Sequence, residues 1–110
     1  MTEPPKLQID DKHWLLVDTI LKKYLSDCEI YVFGSRARMD AKTYSDLDLA
    51  FEADQPLSHQ TLTKVAMAFE ESDLPWAVDL IDLKVISPSF RAAIAPDLVL
   101  TKAPSEASAY

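Results

Sequence analysis

Short strand-like runs alternating with stretches of helical periodicity predict a small α/β (α+β) fold. The expected core is one mixed sheet of three to four short strands with helices packed on one face. Two observations set its size. The chain has 110 residues, 48% hydrophobic and 26% charged, which suffices for one domain and not for two. It also holds a single glycine, Gly34, where average usage of ~7% would give roughly eight. Every turn but one is therefore built without glycine.

Residues 1–9 are polar and proline-bearing and read as a flexible arm. Residues 10–103 read as the single domain, and 104–110 as a disordered tail. Asp10 can cap a helix from Asp11 to about Ser26, with Trp14, Val17, Leu21, Tyr24 and Leu25 at helical spacing. Glu29–Phe33 is a β-branched and aromatic run that stops at Gly34-Ser35, and it predicts a strand. Residues 35–45 predict a short helix and a loop.

Asp46–Glu52 alternates, with Leu47, Leu49 and Phe51 on one face and Asp46, Asp48 and Glu52 on the other. Ser58–Glu71 predicts a second amphipathic helix, and Trp76–Asp82 a third strand. Ser87-Pro88 is a cap followed by a first-turn proline and opens a short helix ending near Ala95-Pro96. Leu98–Leu100 predicts a last edge strand.

Charge narrows the function. Eleven Lys and Arg against 18 Asp and Glu give −7, so sequence-independent DNA or RNA binding is disfavoured. Cys28, the one cysteine, excludes an internal disulfide and a cysteine-based metal site. Its acidic neighbours Asp27 and Glu29 make it a small core residue rather than a nucleophile. No apolar run approaches the ~20 residues of a membrane span, and the N-terminus lacks a signal-peptide pattern. A cytoplasmic protein is expected.

Chemistry concentrates around the second strand. Asp46 and Asp48 project from one face, with Cα atoms ~6–7 Å apart at strand rise. Hard oxygen ligands on a fixed strand suit Mg²⁺, which prefers carboxylates together with substrate phosphates. Parity selects the third acid. If Val78 and Leu80 share the core of Leu47 and Leu49, Asp79 lands on the face of Asp46 and Asp48, whereas Asp82 has the opposite parity. Three carboxylates can hold two metal ions, as in-line phosphoryl or nucleotidyl transfer requires. Gly34-Ser35, directly after the first strand, offers close backbone approach and first-turn amides for an anion. Arg36 and Arg38 add positive charge.

Gly34-Ser35, ten residues, Asp46-Leu47-Asp48 and then Val78-Asp79-Leu80 form a specific combination. It resembles the nucleotidyltransferase superfamily of DNA polymerase β, and within it the minimal nucleotidyltransferases. The motifs run from about Tyr31 to Leu83, and the flanking helices also suit that layout. The resemblance implies that Gly34 and Ser35 bind phosphate, with Arg36 at a position often held by arginine. It implies that Asp46, Asp48 and Asp79 bind Mg²⁺, with ATP as substrate. It further implies a HEPN-domain toxin as partner, with this chain as the antitoxin that adds AMP to a tyrosine hydroxyl. Binding-only neutralisation and modification of a small molecule are the alternatives. One departure stands out: Met39 occupies a frequent glycine position, so a different Arg38–Ser45 loop is expected. The remaining candidates have plainer readings. His13 and His59 are expected on helix surfaces, Trp14 and Trp76 in the core or an interface. Lys42 and Glu52 are expected to be solvated, and Tyr44, just before Ser45-Asp46, is a candidate for contact with a base or acceptor.

Overall fold

The computed structural model describes residues 7–102; the tail 104–110 and the first six residues lie outside them. The elements are α1 (Asp11–Tyr24), β1 (Glu29–Phe33), α2 (Ser35–Arg38), β2 (Leu47–Glu52), α3 (His59–Glu70), β3 (Val78–Asp82), α4 (Pro88–Ile94), a 3₁₀ turn (Ala95–Asp97) and β4 (Val99–Lys102). The sheet order is β3-β2-β1-β4. β1 pairs antiparallel with β2 and with β4, and β2 pairs parallel with β3. The expected mixed sheet is thus four-stranded, with β3 and β4 at its edges.

Helix boundaries follow local chemistry. Ser58 and Ser87 cap α3 and α4 by accepting the amides of Thr61 and Phe90 at 3.1 and 3.2 Å, each satisfying a first-turn donor. Asp10 stands at the N-cap of α1, but its side chain caps nothing; its carboxylate lies 3.8 Å from His13 Nδ1 instead. α1 stops at Tyr24 rather than near Ser26, because Leu25 leaves helical geometry (φ −128°, ψ 39°). β3 begins at Val78, two residues later than expected, and Trp76 ahead of it is buried in the core.

The main core lies between one sheet face and the layer of α1 and α3. Val17 and Leu21 of α1, Ile30 and Val32 of β1, Leu47 and Leu49 of β2, and Val65 of α3 are fully buried there. Burying each such side chain contributes about 1.5–3 kcal/mol. Cys28 belongs to this core, as its acidic neighbours suggested. The opposite face carries a smaller cluster of Phe33, Ala50, Leu83 and Ile94, so α4 covers part of the second face. On β2 that cluster begins at Ala50, two residues beyond Asp48. Among the described residues, no helix is long and apolar enough to cross a membrane.

Residues 7–9, read as part of a flexible arm, are tied down. The Gln8 amide donates to Arg36 O at 2.9 Å, while its side chain donates to Ala41 O and accepts from Ala41 N, both at 2.8 Å. Leu7 and Ile9 pack on the core. The polarity of the segment concealed this, because a glutamine side chain can satisfy a loop backbone as readily as water does.

Candidate active site

The β2–β3 register decides which acids meet. Leu47 lies opposite Val78 and Leu49 opposite Leu80 on the core face, so Asp48 lies opposite Asp79 on the other. Neighbouring strands are about 4.8 Å apart, which places two carboxylates side by side. Asp46 lies two residues before Asp48, exposed at the entry to β2. Asp82 lies opposite Phe51, and its Oδ1 accepts the Lys84 amide at 2.9 Å. It shapes the turn after β3.

This crowding has an electrostatic cost. Burial, then Asp79 and Asp46, push the Asp48 carboxyl above the usual aspartate range, with Arg38 pulling weakly the other way. Among the described residues, no three acidic, His or Cys side chains already converge at metal-ligating distance. Two or three carboxylates open to solvent, completed by substrate phosphates and water, are nevertheless the donor set that Mg²⁺ prefers. A cation there would relieve the repulsion that now bears on Asp48.

Gly34 joins β1 to α2 at φ 75°, ψ −156°, a region essentially restricted to glycine. A Cβ at this position would overlap Asp48 Oδ2 and lie 3.2 Å from Asp48 Cγ. The glycine is therefore needed first to admit the Asp48 carboxylate. Ser35 opens α2, and the amides at its start have no helical acceptor. They lie beside the acids, because Phe33 is the register partner of Asp48.

The two arginines exchange their expected weight. Arg36, expected to face phosphate, is 6% exposed and engaged by backbone. Its Nε and Nη2 donate to Ser45 O at 3.1 and 2.7 Å, and Nη1 donates to Gln8 O at 2.8 Å. Its guanidinium also stacks 4.5 Å over the Trp76 ring. Burial lowers its pKa, and Asp10 and Asp46 partly restore it. Arg36 thus fastens the loop that leads into Asp46, and its assignment to phosphate is corrected on that ground. Arg38 is the exposed cation that acts on Asp48. Asp97 holds its Nη1 at 3.0 Å and Asp40 its Nε at 3.3 Å. Nothing local in the sequence signals Asp97, which is 59 residues away.

Other residues are also relocated. His13, expected on a helix surface, packs edge-on against Trp76 with ring centroids 5.8 Å apart. Glu52 pairs with Arg91 at 3.5 Å instead of standing free in solvent. Lys42 is exposed as expected, and Tyr44 is exposed as well. They border a cleft of about 910 Å³ between the 7–10 segment, Trp76 and the loop before β2. Met39 takes the left-handed turn (φ 68°, ψ 29°) and closes α2 by donating its amide to Ser35 O. The left-handed turn therefore forms with a side chain present, at about 1–2 kcal/mol.

A family model described as polymerase beta, nucleotidyltransferase matches residues 17–103. The chain belongs to that family. The nucleotidyltransferase is 43% identical over 94 residues to the "Probable protein adenylyltransferase MntA" of Haemophilus influenzae, across 86% of this chain and 82% of that protein. Among solved structures it is similar to a toxin–antitoxin crystal structure with AMP-PNP: TM-score 0.68, 22% identity, 86% of this chain and 75% of that one. It is also similar to the tri-AMPylated Shewanella oneidensis HEPN toxin in complex with MNT antitoxin, at TM-score 0.56 and 20% identity, with 88% and 76% covered. At these identities the two structures speak to the fold of the nucleotidyltransferase, including its mixed sheet.

Proposed function

We propose that this nucleotidyltransferase is a protein adenylyltransferase that moves AMP from ATP to a tyrosine hydroxyl of a HEPN-type toxin, and so acts as its antitoxin. The observation that carries the reading is the register that sets Asp79 beside Asp48, in a chain 43% identical to a relative named as an adenylyltransferase. The toxin–antitoxin complexes among its structural relatives support the choice of partner. ATP as donor sets the reaction in the cytoplasm.

Asp46, Asp48 and Asp79 would hold Mg²⁺, which when bound neutralises charge on the attacking and leaving oxygens. The start of α2 at Gly34-Ser35 receives the β- and γ-phosphates on backbone amides and the Ser35 hydroxyl. Arg38, restrained by Asp97 and Asp40, supplies positive charge at the rim. The acceptor oxygen attacks the α-phosphorus in line. Its bond to phosphorus forms as the bond to the β-phosphate oxygen breaks, and pyrophosphate leaves. The hydroxyl proton passes to the carboxylate of Asp79. Arg36 and Gln8 keep the entry to β2 in place while this happens.

Replacing Asp46→Asn together with Asp48→Asn is expected to lower transfer by about 10³-fold or more while the thermal transition persists. The measurement is label from α-phosphate-labelled ATP on the partner protein. Retained labelling would overturn the assignment. Stoichiometric neutralisation of the partner without ATP would instead favour the binding-only alternative.

A further inference from the structure

We infer that the acceptor segment docks as an added strand on the free edge of β3. This rests on the adenylyltransferase reading and specifies how that site recognises its acceptor. Among the described residues no strand covers the outer edge of β3, which ends the sheet. The Leu47 amide donates to Ala77 O and the Leu83 amide to Phe51 O. Odd-numbered residues of this stretch therefore turn their backbone groups toward β2. By alternation, Val78, Leu80 and Asp82 present theirs outward. An extended peptide can pair with such an edge.

A groove of about 440 Å³ runs along this edge between β3 and α3, lined by Leu62, Ala66, Phe69, Leu80, Val85 and Asp79. Val85 is 75% exposed, an apolar side chain left in water beside an apolar groove. The groove and the candidate active site share Asp79, so an occupant of one is delivered to the other.

Parity specifies the occupant. In paired strands, directly opposed residues share a face. An acceptor residue opposite Asp79 therefore lies on the carboxylate face, and its two chain neighbours point to the groove face. A tyrosine with apolar residues on both sides satisfies both demands at once. A second copy of this chain is the poorer occupant. It would bring −7 against −7 and set four carboxylates, Asp79 and Asp82 from each copy, along two adjacent short strands.

The test uses the full chain, ATP labelled at the α-phosphate, and synthetic peptides with one central tyrosine flanked by valines or by aspartates. Valine-flanked peptide is expected to be labelled at least about 10-fold faster, a difference of ~1.4 kcal/mol. Ala66→Glu and Val85→Glu change exposed positions and should remove that preference while ATP affinity and thermal stability hold. On peptide binding, hydrogen exchange should slow at the amides of Val78, Leu80 and Asp82. Equal labelling of both peptides, no effect of the two substitutions, or unchanged exchange along β3 would overturn strand docking. So would a dimer in solution that Ala66→Glu dissociates. Labelling of a whole HEPN-type partner but of no peptide overturns the docking mode alone. Labelling of neither overturns the adenylyltransferase reading beneath it.

Discussion

The two faces of β2 are made by the same six residues and do opposite things. On one face Leu47, Leu49 and Phe51 are at most 1% exposed and pack beneath α1 and α3. On the other, Asp48 meets Asp79, Ala50 is buried under the small Ile94 cluster, and Glu52 pairs with Arg91. The packed face gains from every contact it makes. The acidic face is held in an unfavourable arrangement by that packing, since burial is the main cause of the raised Asp48 pKa. A rigid apolar side is what lets the opposite side keep like charges together.

Substitutions on each face should separate these roles. Leu49→Ala, on the packed face, is expected to cost about 2–5 kcal/mol in urea unfolding, with transfer per folded molecule unchanged. An equal loss of specific activity would show that the faces are not independent. Gly34→Val inserts a side chain against Asp48 on the acidic face. ATP affinity should fall about 100-fold, or ~2.7 kcal/mol, before folding fails; titration calorimetry would detect it. Asp48→Asn should have the smallest effect, and of opposite sign. The folded carboxyl binds its proton more tightly than the unfolded one, so stability declines as pH rises through the folded value. Removing the charge should therefore raise Tm slightly at pH 7. Below the ordinary aspartate value of 3.8, where both states are protonated, the gain should disappear. A lower Tm at neutral pH would mean that the acids do not repel as described.

Much of this arrangement was legible in the sequence because alternation is a local property. The side of β3 that carries Asp79 follows from Val78 and Leu80 alone, and the choice over Asp82 needed no structure. The strand–Gly-Ser turn was legible for the same reason. Arg36 and Arg38 were not separable, because two residues on a four-residue helix differ only in what the rest of the chain brings to them. Gln8, 28 residues from Arg36, supplies a carbonyl, and Asp97 comes from beyond α4. Met39 shows a local rule overridden: α2 is closed by a methionine at positive φ, and the hydrogen bond to Ser35 O offsets part of the steric cost.

The Gln8 contact has a practical side. Its side chain clasps both backbone groups of Ala41, and its carbonyl receives Arg36, which in turn holds Ser45 next to Asp46. A purification tag, a fusion partner or proteolytic trimming that pulls residue 8 out of place would reach Asp46 through two hydrogen-bonded steps and one peptide bond, and leave the core of α1, α3 and the sheet intact. An inactive but well-folded preparation is the expected signature of such handling, and moving the tag to the other terminus is the remedy.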